Sequence, residues 1–285
     1  MKICRFDNDR LGLVEGESVL DVTAALDIVP AVRWPAPPGD ALIANLDNVR
    51  DEIDRLAPNA PARDIADVRL LSPIANPTKV IGAPVNYSTH ADEAKADTGI
   101  HHGQKIKSID EYGLFLKASS ALVGPSEGVA LRFTDRRNDH EVELAVIISR
   151  TVEKISRGQA LSAVAGYAIG LDMTVRGSED RSFRKSIDSY AVLGPWLVTA
   201  DEINEPGNLD FELSVNGETR QKSNTSQLIY DIPRLIEYAT SFYTLHPGDI
   251  IMTGTPAGVG PVSDGDVMVV EFERIGRMEV GVRAA

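Results

Sequence analysis

An α+β fold that is mostly β is predicted for this chain, with a small N-terminal α/β domain (residues 1–70) ahead of a larger domain (residues 71–285). Three features of the sequence indicate this fold. Many short apolar runs are bounded by Gly, Pro or polar residues, as strands commonly are. Two segments show the spacing of amphipathic helices. A proline-rich segment separates two parts of a chain whose 285 residues suffice for one large and one small domain.

The N-terminal part begins with two stretches that are typical of short strands, Lys2 to Phe6 and Leu11 to Val14. Apolar residues then recur at alternating spacings of four and three between Gly39 and Leu56, which predicts an amphipathic helix. Repeated prolines in residues 57–62 cannot continue that helix. We therefore expect a linker there and a domain boundary near residues 58–70.

The C-terminal part is dominated by predicted strands. The runs are 79–83, 114–118, 141–148, 165–173 and 196–199. Alternation from Phe211 to Val215, followed by Asn216-Gly217, predicts a hairpin with a type I′ turn. A helix is predicted from Ile232 to Phe242 with Asp231 as its N-cap, and the tail from Asp266 to Val282 predicts two further strands.

Composition and charge restrict the partners and the location. Lys and Arg number 29 against 42 Asp and Glu, a net charge of −13, which argues against nucleic acid or an anionic membrane as a partner. No apolar run approaches the roughly 20 residues that a membrane-spanning helix needs. The first residues lack the apolar core of a signal peptide. Cys4 is the only cysteine, so we expect a reducing, cytoplasmic setting.

Three acidic residues occur where buried strands are predicted. Glu141 and Glu143 lie in one such run, and residues two apart on a strand share a face. Asp172 ends another apolar run. Buried carboxylates need compensation, and an all-oxygen trio suits Mg²⁺ or Mn²⁺ and would also accept Ca²⁺. The alternatives are pairing with Arg or Lys, or a strand edge that faces solvent.

Several separated motifs occur together in the order typical of one enzyme family. They are Asn86–Glu93, Phe115–Lys117, Glu141–Leu144, Asp172–Arg176, Leu193–Trp196 and Pro247–Pro256. On these motifs the sequence resembles the fumarylacetoacetate hydrolase family over roughly residues 73–285. The resemblance implies a β-roll catalytic domain, a smaller N-terminal domain and a homodimer. It also implies Mg²⁺ or Mn²⁺ held by Glu141, Glu143 and Asp172.

A histidine and a glutamate are candidates for activating water. His90 and Glu93 are three residues apart, so on a helix they share a face, where the carboxylate orients the imidazole and raises its basicity. Taken alone, such a pair is more often a solvated pair in a polar loop. Similarity to the family's mobile lid motif implies that His90 is the general base and Glu93 its partner.

The remaining site residues are assigned by the motif match, because each is of a type that is more often an ordinary surface or core residue. Lys117 and Lys185 are the cations expected to stabilise an oxyanion. Arg176 offers a planar fork for a substrate carboxylate. Thr255 and Tyr87 complete the predicted substrate-binding set.

The chain departs from the common family pattern next to these residues. Glu179 stands seven residues after Asp172, where many members carry glutamine. The segment 177–184 also differs from the common versions, which leaves the substrate-side contacts open. The additional acid favours a less anionic substrate tail unless Arg181 and Arg184 offset it.

Together these residues predict a divalent-metal-dependent enzyme that acts on a small anionic 2-oxo, 2-hydroxydienoic or 2,4-dioxo acid through a metal-stabilised enolate. The reaction is either isomerisation of 2-hydroxyhepta-2,4-diene-1,7-dioate or C–C hydrolysis of an acylpyruvate such as fumarylpyruvate, in the catabolism of aromatic compounds. A 2-oxo acid decarboxylase of the same family and a non-catalytic metal-binding scaffold remain alternatives. A glycosidase is less consistent, since its carboxylates flank the scissile bond from opposite sides, whereas Glu141 and Glu143 point the same way.

Overall fold

A computed structural model describes residues 1–103 and 105–285. The helices are α1 (Ala41–Ala44), α2 (Leu46–Leu56), α3 (Ser88–Ala96), α4 (Thr98–His101), α5 (Ile109–Tyr112), α6 (Arg181–Lys185) and α7 (Ile232–Phe242). The first ten strands are β1 (Lys2–Phe6), β2 (Arg10–Glu15), β3 (Ser18–Asp21), β4 (Ala62–Asp64), β5 (Leu70–Leu71), β6 (Val80–Gly82), β7 (Phe115–Lys117), β8 (Leu122–Val123), β9 (Val129–Leu131) and β10 (Asn138–His140). The others are β11 (Val142–Ile148), β12 (Val164–Asp172), β13 (Thr174–Val175), β14 (Ala191–Thr199), β15 (Asp210–Val215), β16 (Glu218–Asn224), β17 (Ile250–Met252), β18 (Gly260–Pro261), β19 (Val267–Phe272) and β20 (Gly276–Ala284).

The strands form one large sheet and two smaller ones. The large sheet runs β4-β3-β2-β1-β14-β12-β11-β17-β6-β7, and the smaller sheets run β13-β10-β18 and β16-β15-β19-β20-β9. Lys2 of β1 pairs with Val198 of β14, so the N-terminal strands extend the sheet of the C-terminal part. The mostly β, α+β fold is confirmed. A division into two domains at residue 70 stays a prediction.

The centre of the large sheet is made of the three strands β11, β12 and β14, in which every residue is buried. Their Val, Ile, Leu and Ala side chains cover both faces, because apolar clusters pack on each side of the sheet. β11 and β12 are antiparallel, with Val142 opposite Leu171. The start of β11 therefore lies beside the end of β12, which places the acidic residues of both segments together.

Two predictions for the N-terminal part need correction. The helix predicted over residues 39–56 is divided into α1 and α2, because Asn45 leaves helical geometry (φ −118°, ψ 19°) and its side chain donates to the Ala41 carbonyl at 2.8 Å. The proline-rich segment 57–62 is not a free linker. It continues into β4, where Arg63 pairs with Val19, and an edge strand tolerates nearby prolines.

The predictions for the hairpin, the second helix and the tail are confirmed. β15 and β16 are joined by Asn216 and Gly217, whose φ angles of 52° and 81° suit a type I′ turn. Helix α7 begins after Asp231, whose side chain accepts a hydrogen bond from the Arg234 amide at 2.9 Å. β19 and β20 occupy the tail as an antiparallel pair. Among the described residues, no helix is both long enough and apolar enough to cross a membrane.

Candidate active site

The three predicted carboxylates meet where β11 begins and β12 ends. The Asp172 amide donates to the Glu141 carbonyl at 2.9 Å, and Glu143 lies two residues along the chain. One oxygen from each of the three side chains lies within 4.8 Å of the others. All three residues are at most 4% exposed. The strand pairing thus concentrates three acidic groups in a buried position.

Cations compensate two of the three carboxylates. The Lys185 ammonium donates to Glu141 Oε2 at 2.8 Å and to Asp172 Oδ2 at 2.6 Å. Lys117, which is also buried, contacts the other oxygen of Asp172. Arg176 Nη2 donates to Glu141 Oε1 at 2.9 Å. Although burial opposes ionisation, Lys185 and then Arg176 hold the pKa of Glu141 well below its ordinary value.

Glu143 has a different environment. Within the described residues its carboxylate accepts one hydrogen bond, from the Gly254 amide at 2.6 Å, and forms no ion pair. Burial, followed by the negative charges of Asp172 and Glu141, raises the pKa of Glu143 well above its ordinary value. A carboxylate in this position gains strongly from a nearby positive charge.

The donor set fits a divalent cation. It consists of oxygen atoms alone, its members are close enough to share one ion, and Glu143 lacks a cationic partner among the described residues. Hard cations such as Mg²⁺ and Mn²⁺ prefer such ligands. The pairing of Glu141 and Asp172 with lysine and arginine, predicted as an alternative, is also present. Ion pairing and a metal site are compatible here. Lysine and arginine pair with Glu141 and Asp172, and they leave Glu143 without a cationic partner among the described residues.

The predicted water-activating pair lies on helix α3, which we call the lid helix because its sequence resembles the family's lid motif. His90 Nδ1 lies 3.1 Å from Glu93 Oε2, and Glu93 Oε1 accepts from the Gly258 amide at 2.8 Å. An ionised carboxylate only accepts hydrogen bonds, so the neutral imidazole carries its proton on Nδ1. Nε2 is then the nitrogen that can accept a proton, in a side chain that lines the cleft.

The lid helix is connected to the carboxylates through a chain of ion pairs. Asp97, which follows the helix, accepts from Arg137 Nη1 at 2.8 Å, and Arg137 Nε donates to the fully buried Asp139 at 2.8 Å. The other oxygen of Asp139 accepts from Arg176 Nε at 2.7 Å, and Arg176 binds Glu141. The position of the helix is therefore coupled electrostatically to a candidate metal ligand.

A cleft of about 680 Å³, its open mouth included, gathers most of the predicted site residues. Those that line it are His90, Glu141, Glu143, Asp172, Arg176, Lys185 and Thr255. Lys117 and Glu93 lie behind this lining, where they contact Asp172 and His90. Tyr87 is not brought to the cleft: it is buried and packs edge-on against Phe211, with ring centroids 6.4 Å apart. Its contact with substrate stays a prediction.

A buried glutamine orients part of the site and was not predicted. Gln221 Nε2 donates to Thr255 Oγ1 at 2.8 Å, and its Oε1 accepts from the Val142 amide at 3.0 Å. An ideal two-residue hairpin would place Arg220 opposite Leu213. A bulge shifts the register by one, so Gln221 faces inward instead. In the sequence, the one sign of this role is that Gln221 is a polar residue next to Arg220, the position that an ideal hairpin would turn inward.

Glu179, the departure from the family pattern, does not line the cleft. Arg136 binds it with two hydrogen bonds, of 3.0 and 2.9 Å. Arg181 and Arg184, from the same segment, do line the cleft. Arg136 therefore neutralises the charge on Glu179 outside the cleft lining, and the segment contributes positive charge to the cleft.

The sequence and the structure are similar to those of characterised proteins. Residues 79–283 match the family model described as fumarylacetoacetate (FAA) hydrolase, C-terminal. A maleylpyruvate hydrolase of Aquipseudomonas alcaligenes is 56% identical over 286 residues, which cover 100% of both chains. The crystal structure of maleylpyruvate hydrolase from Sphingobium sp. SYK-6 in complex with manganese(II) and pyruvate is 41% identical, with a TM-score of 0.84 over 100% of both chains. A 2-hydroxyhepta-2,4-diene-1,7-dioate isomerase from Mycobacterium marinum is 28% identical, with a TM-score of 0.71 over 100% of this chain and 98% of that one.

Proposed function

Because the chain belongs to the fumarylacetoacetate hydrolase family, and is thereby a metal-dependent hydrolase or isomerase, we propose that it hydrolyses an acylpyruvate of the maleylpyruvate type. One observation carries this proposal. A buried trio of carboxylates suited to a divalent ion faces the same cleft as an imidazole that a glutamate orients. This combination provides for charge stabilisation and for water activation at one place.

The chemistry of the substrate fits these two elements. Maleylpyruvate is a 2,4-dioxo acid with a carboxylate at each end. Water adds to the 4-carbonyl, the C3–C4 bond breaks, and its electron pair remains on the pyruvate fragment, which is then protonated at C3. The products are maleate and pyruvate. A bound Mg²⁺ or Mn²⁺, held by Glu141, Glu143 and Asp172, supplies Lewis-acid stabilisation of negative charge at the substrate's 2-oxygen.

The side chains of the cleft perform the proton transfer and the positioning. His90 Nε2 accepts a proton from the attacking water while Glu93 holds the ring by its other nitrogen. The Lys185 ammonium, within 3 Å of two carboxylates, adds a fixed positive charge beside the developing oxyanion. Thr255 Oγ1 already accepts from Gln221, so its own hydrogen is free to donate to a substrate carboxylate.

The test is a direct assay with the purified protein and Mn²⁺ or Mg²⁺. We expect maleylpyruvate to lose its ultraviolet absorbance while pyruvate appears in equal amount, measured with lactate dehydrogenase. Isomerisation of 2-hydroxyhepta-2,4-diene-1,7-dioate is the second candidate, favoured by the similarity to the mycobacterial isomerase. If the protein converts that compound and forms no pyruvate from maleylpyruvate, its activity is isomerisation and the proposed hydrolysis is wrong. Release of CO₂ would indicate a decarboxylase, and inactivity with every substrate would indicate a scaffold.

We also propose that the chain forms a homodimer and works in the cytoplasm. Large apolar side chains exposed on a single copy, among them Phe183 and Phe242 at 67% each, are the kind that an interface covers. A lone, buried cysteine is consistent with a reducing compartment. Light scattering should give twice the chain mass of 30.8 kDa, and cell fractionation should recover the protein with cytoplasmic markers. A monomer mass or a periplasmic fraction would contradict the respective proposal.

A further inference from the structure

Two arginines of the cleft have no carboxylate partner among the described residues. Arg184 donates from Nε to the Glu179 carbonyl at 2.9 Å and from Nη1 to the Val175 carbonyl at 3.2 Å, and both acceptors are neutral. The Arg181 guanidinium lies 4.2 Å from the centroid of the Tyr112 ring. Both side chains line the cleft that contains the carboxylate trio.

These two residues differ from the other cations of the cleft. Arg176 is bound to Asp139 and Glu141 by hydrogen bonds of 2.7 and 2.9 Å, so its charge is compensated. Lys185 is compensated by the carboxylates that it contacts. The pKa of Arg184, in contrast, is lowered by burial and by the positive charges of Arg176 and Arg181. An anion beside Arg184 would favour the charged guanidinium, and it would thereby offset both the cost of burial and the repulsion from Arg176 and Arg181.

The two guanidinium groups are also held in place before any ligand binds. Two backbone carbonyls fix Arg184, and stacking on an aromatic ring fixes Arg181. A positioned guanidinium binds a carboxylate with two parallel hydrogen bonds and loses little side-chain entropy on binding. The arrangement has the charge and the rigidity that a carboxylate subsite needs.

We propose that Arg181 and Arg184 form the subsite for the distal carboxylate of a dianionic 2-oxo acid, and thereby select dicarboxylates over monocarboxylates. The inference rests on the proposed function, since it assumes that the 2-oxo acid end of the substrate lies at the carboxylate trio. It assigns a role in specificity to the segment 177–184, in which the chain departs from the common family pattern. The pairing of Glu179 with Arg136 leaves both arginines available for this role.

The test measures binding without turnover. Isothermal titration calorimetry of the Mg²⁺-loaded protein compares 2-oxoheptanedioate with 2-oxoheptanoate, which has the same length but lacks the distal carboxylate. Neither compound has the 4-oxo group that hydrolysis requires. The wild-type protein should bind the dicarboxylate at least about tenfold more tightly, the effect of one good charge-assisted contact. Arg184→Gln and Arg181→Gln should each reduce this ratio to about threefold or less.

Two further variants make the result specific. Arg184→Lys keeps the charge without the fork and should retain an intermediate ratio. Arg277→Gln removes an exposed arginine that pairs with Glu279 away from the cleft and should leave the ratio at its wild-type value. A wild-type ratio near one, or an unchanged ratio in both glutamine variants with native circular dichroism, would overturn the subsite. Failure of the proposed function would show separately, as absence of pyruvate from maleylpyruvate in the wild-type protein.

Discussion

Replacement of Glu143 with glutamine should stabilise the metal-free protein and weaken its response to metal. The carboxylate is buried within 4.8 Å of two others, and its one protein partner among the described residues is the Gly254 amide. Because the pKa of Glu143 is raised in the folded protein, its carboxyl group near neutral pH is either charged or protonated at a cost that the unfolded chain does not bear. Glutamine keeps the shape and removes this cost, which should raise the free energy of unfolding by about 1–3 kcal/mol. For a chain of this size that corresponds to roughly 2 °C in Tm per kcal/mol.

The metal should stabilise both proteins, but the wild-type protein more than the variant. A ligand at 100 times its Kd stabilises the folded state by about 2.7 kcal/mol, and the wild-type protein should show a gain of this order with Mn²⁺. The variant keeps two of the three carboxylates, so its Kd for Mn²⁺ should be higher. At the same Mn²⁺ concentration we therefore expect the metal to stabilise the folded variant by less than about 1 kcal/mol.

Thermal unfolding in EDTA and in Mn²⁺ measures both effects, with Glu15→Gln, an exposed substitution of the same type, as the control. The variant should have the higher Tm in EDTA and the smaller shift on addition of metal. A lower Tm in EDTA would mean that Glu143 is a structural residue. A shift equal to that of the wild-type protein would mean that it is not a ligand.

Three further predictions concern the lid helix and the core. His90→Gln should lower the rate of maleylpyruvate hydrolysis by about 10²–10⁴-fold. It should lower the rate of enol–keto exchange of a 2-oxo acid less, since only hydrolysis needs an activated water. Equal losses in the two spectrophotometric assays would contradict the role of His90 as general base. Arg137→Met removes the hydrogen bonds of 2.8 Å to Asp97 and to Asp139. Amide hydrogen exchange across residues 88–101 should become at least roughly tenfold faster, the loss expected for a charged hydrogen bond, and exchange at the wild-type rate would show that Arg137 does not hold the helix. Burial raises the pKa of Cys4 to about 12, so between pH 7 and 9 it stays a thiol and should react with Ellman's reagent only after unfolding; rapid labelling of the native protein would refute this.

The sequence was most informative where a residue conflicted with its surroundings. Glu141, Glu143 and Asp172 were identified because acidic residues in strands that are apolar on both faces need a reason to be there, and the structure brings them together. Helix α7 and the Asn216-Gly217 turn could also be predicted from the sequence, because both patterns are local. The resemblance to a known family added Lys117 and Lys185, which periodicity does not distinguish from surface charges.

Several other features that depend on contacts between residues distant in the sequence were not predicted. Gln221 reaches Thr255 only because a bulge in the hairpin shifts its register by one residue. The pairs from Asp97 through Arg137 to Asp139 connect loops that show no periodicity. The extension of the large sheet by the N-terminal strands is likewise a long-range pairing, which local patterns cannot reveal.

Stoichiometric binding of a divalent ion at the carboxylate trio is the central requirement of this account, and calorimetric titration of Mn²⁺ into chelator-treated protein measures it most directly. We expect one ion to bind per chain with measurable heat, and Asp172→Asn to abolish that heat while the variant stays folded. Absence of heat from the wild-type protein, or an identical isotherm from the variant, would contradict the account.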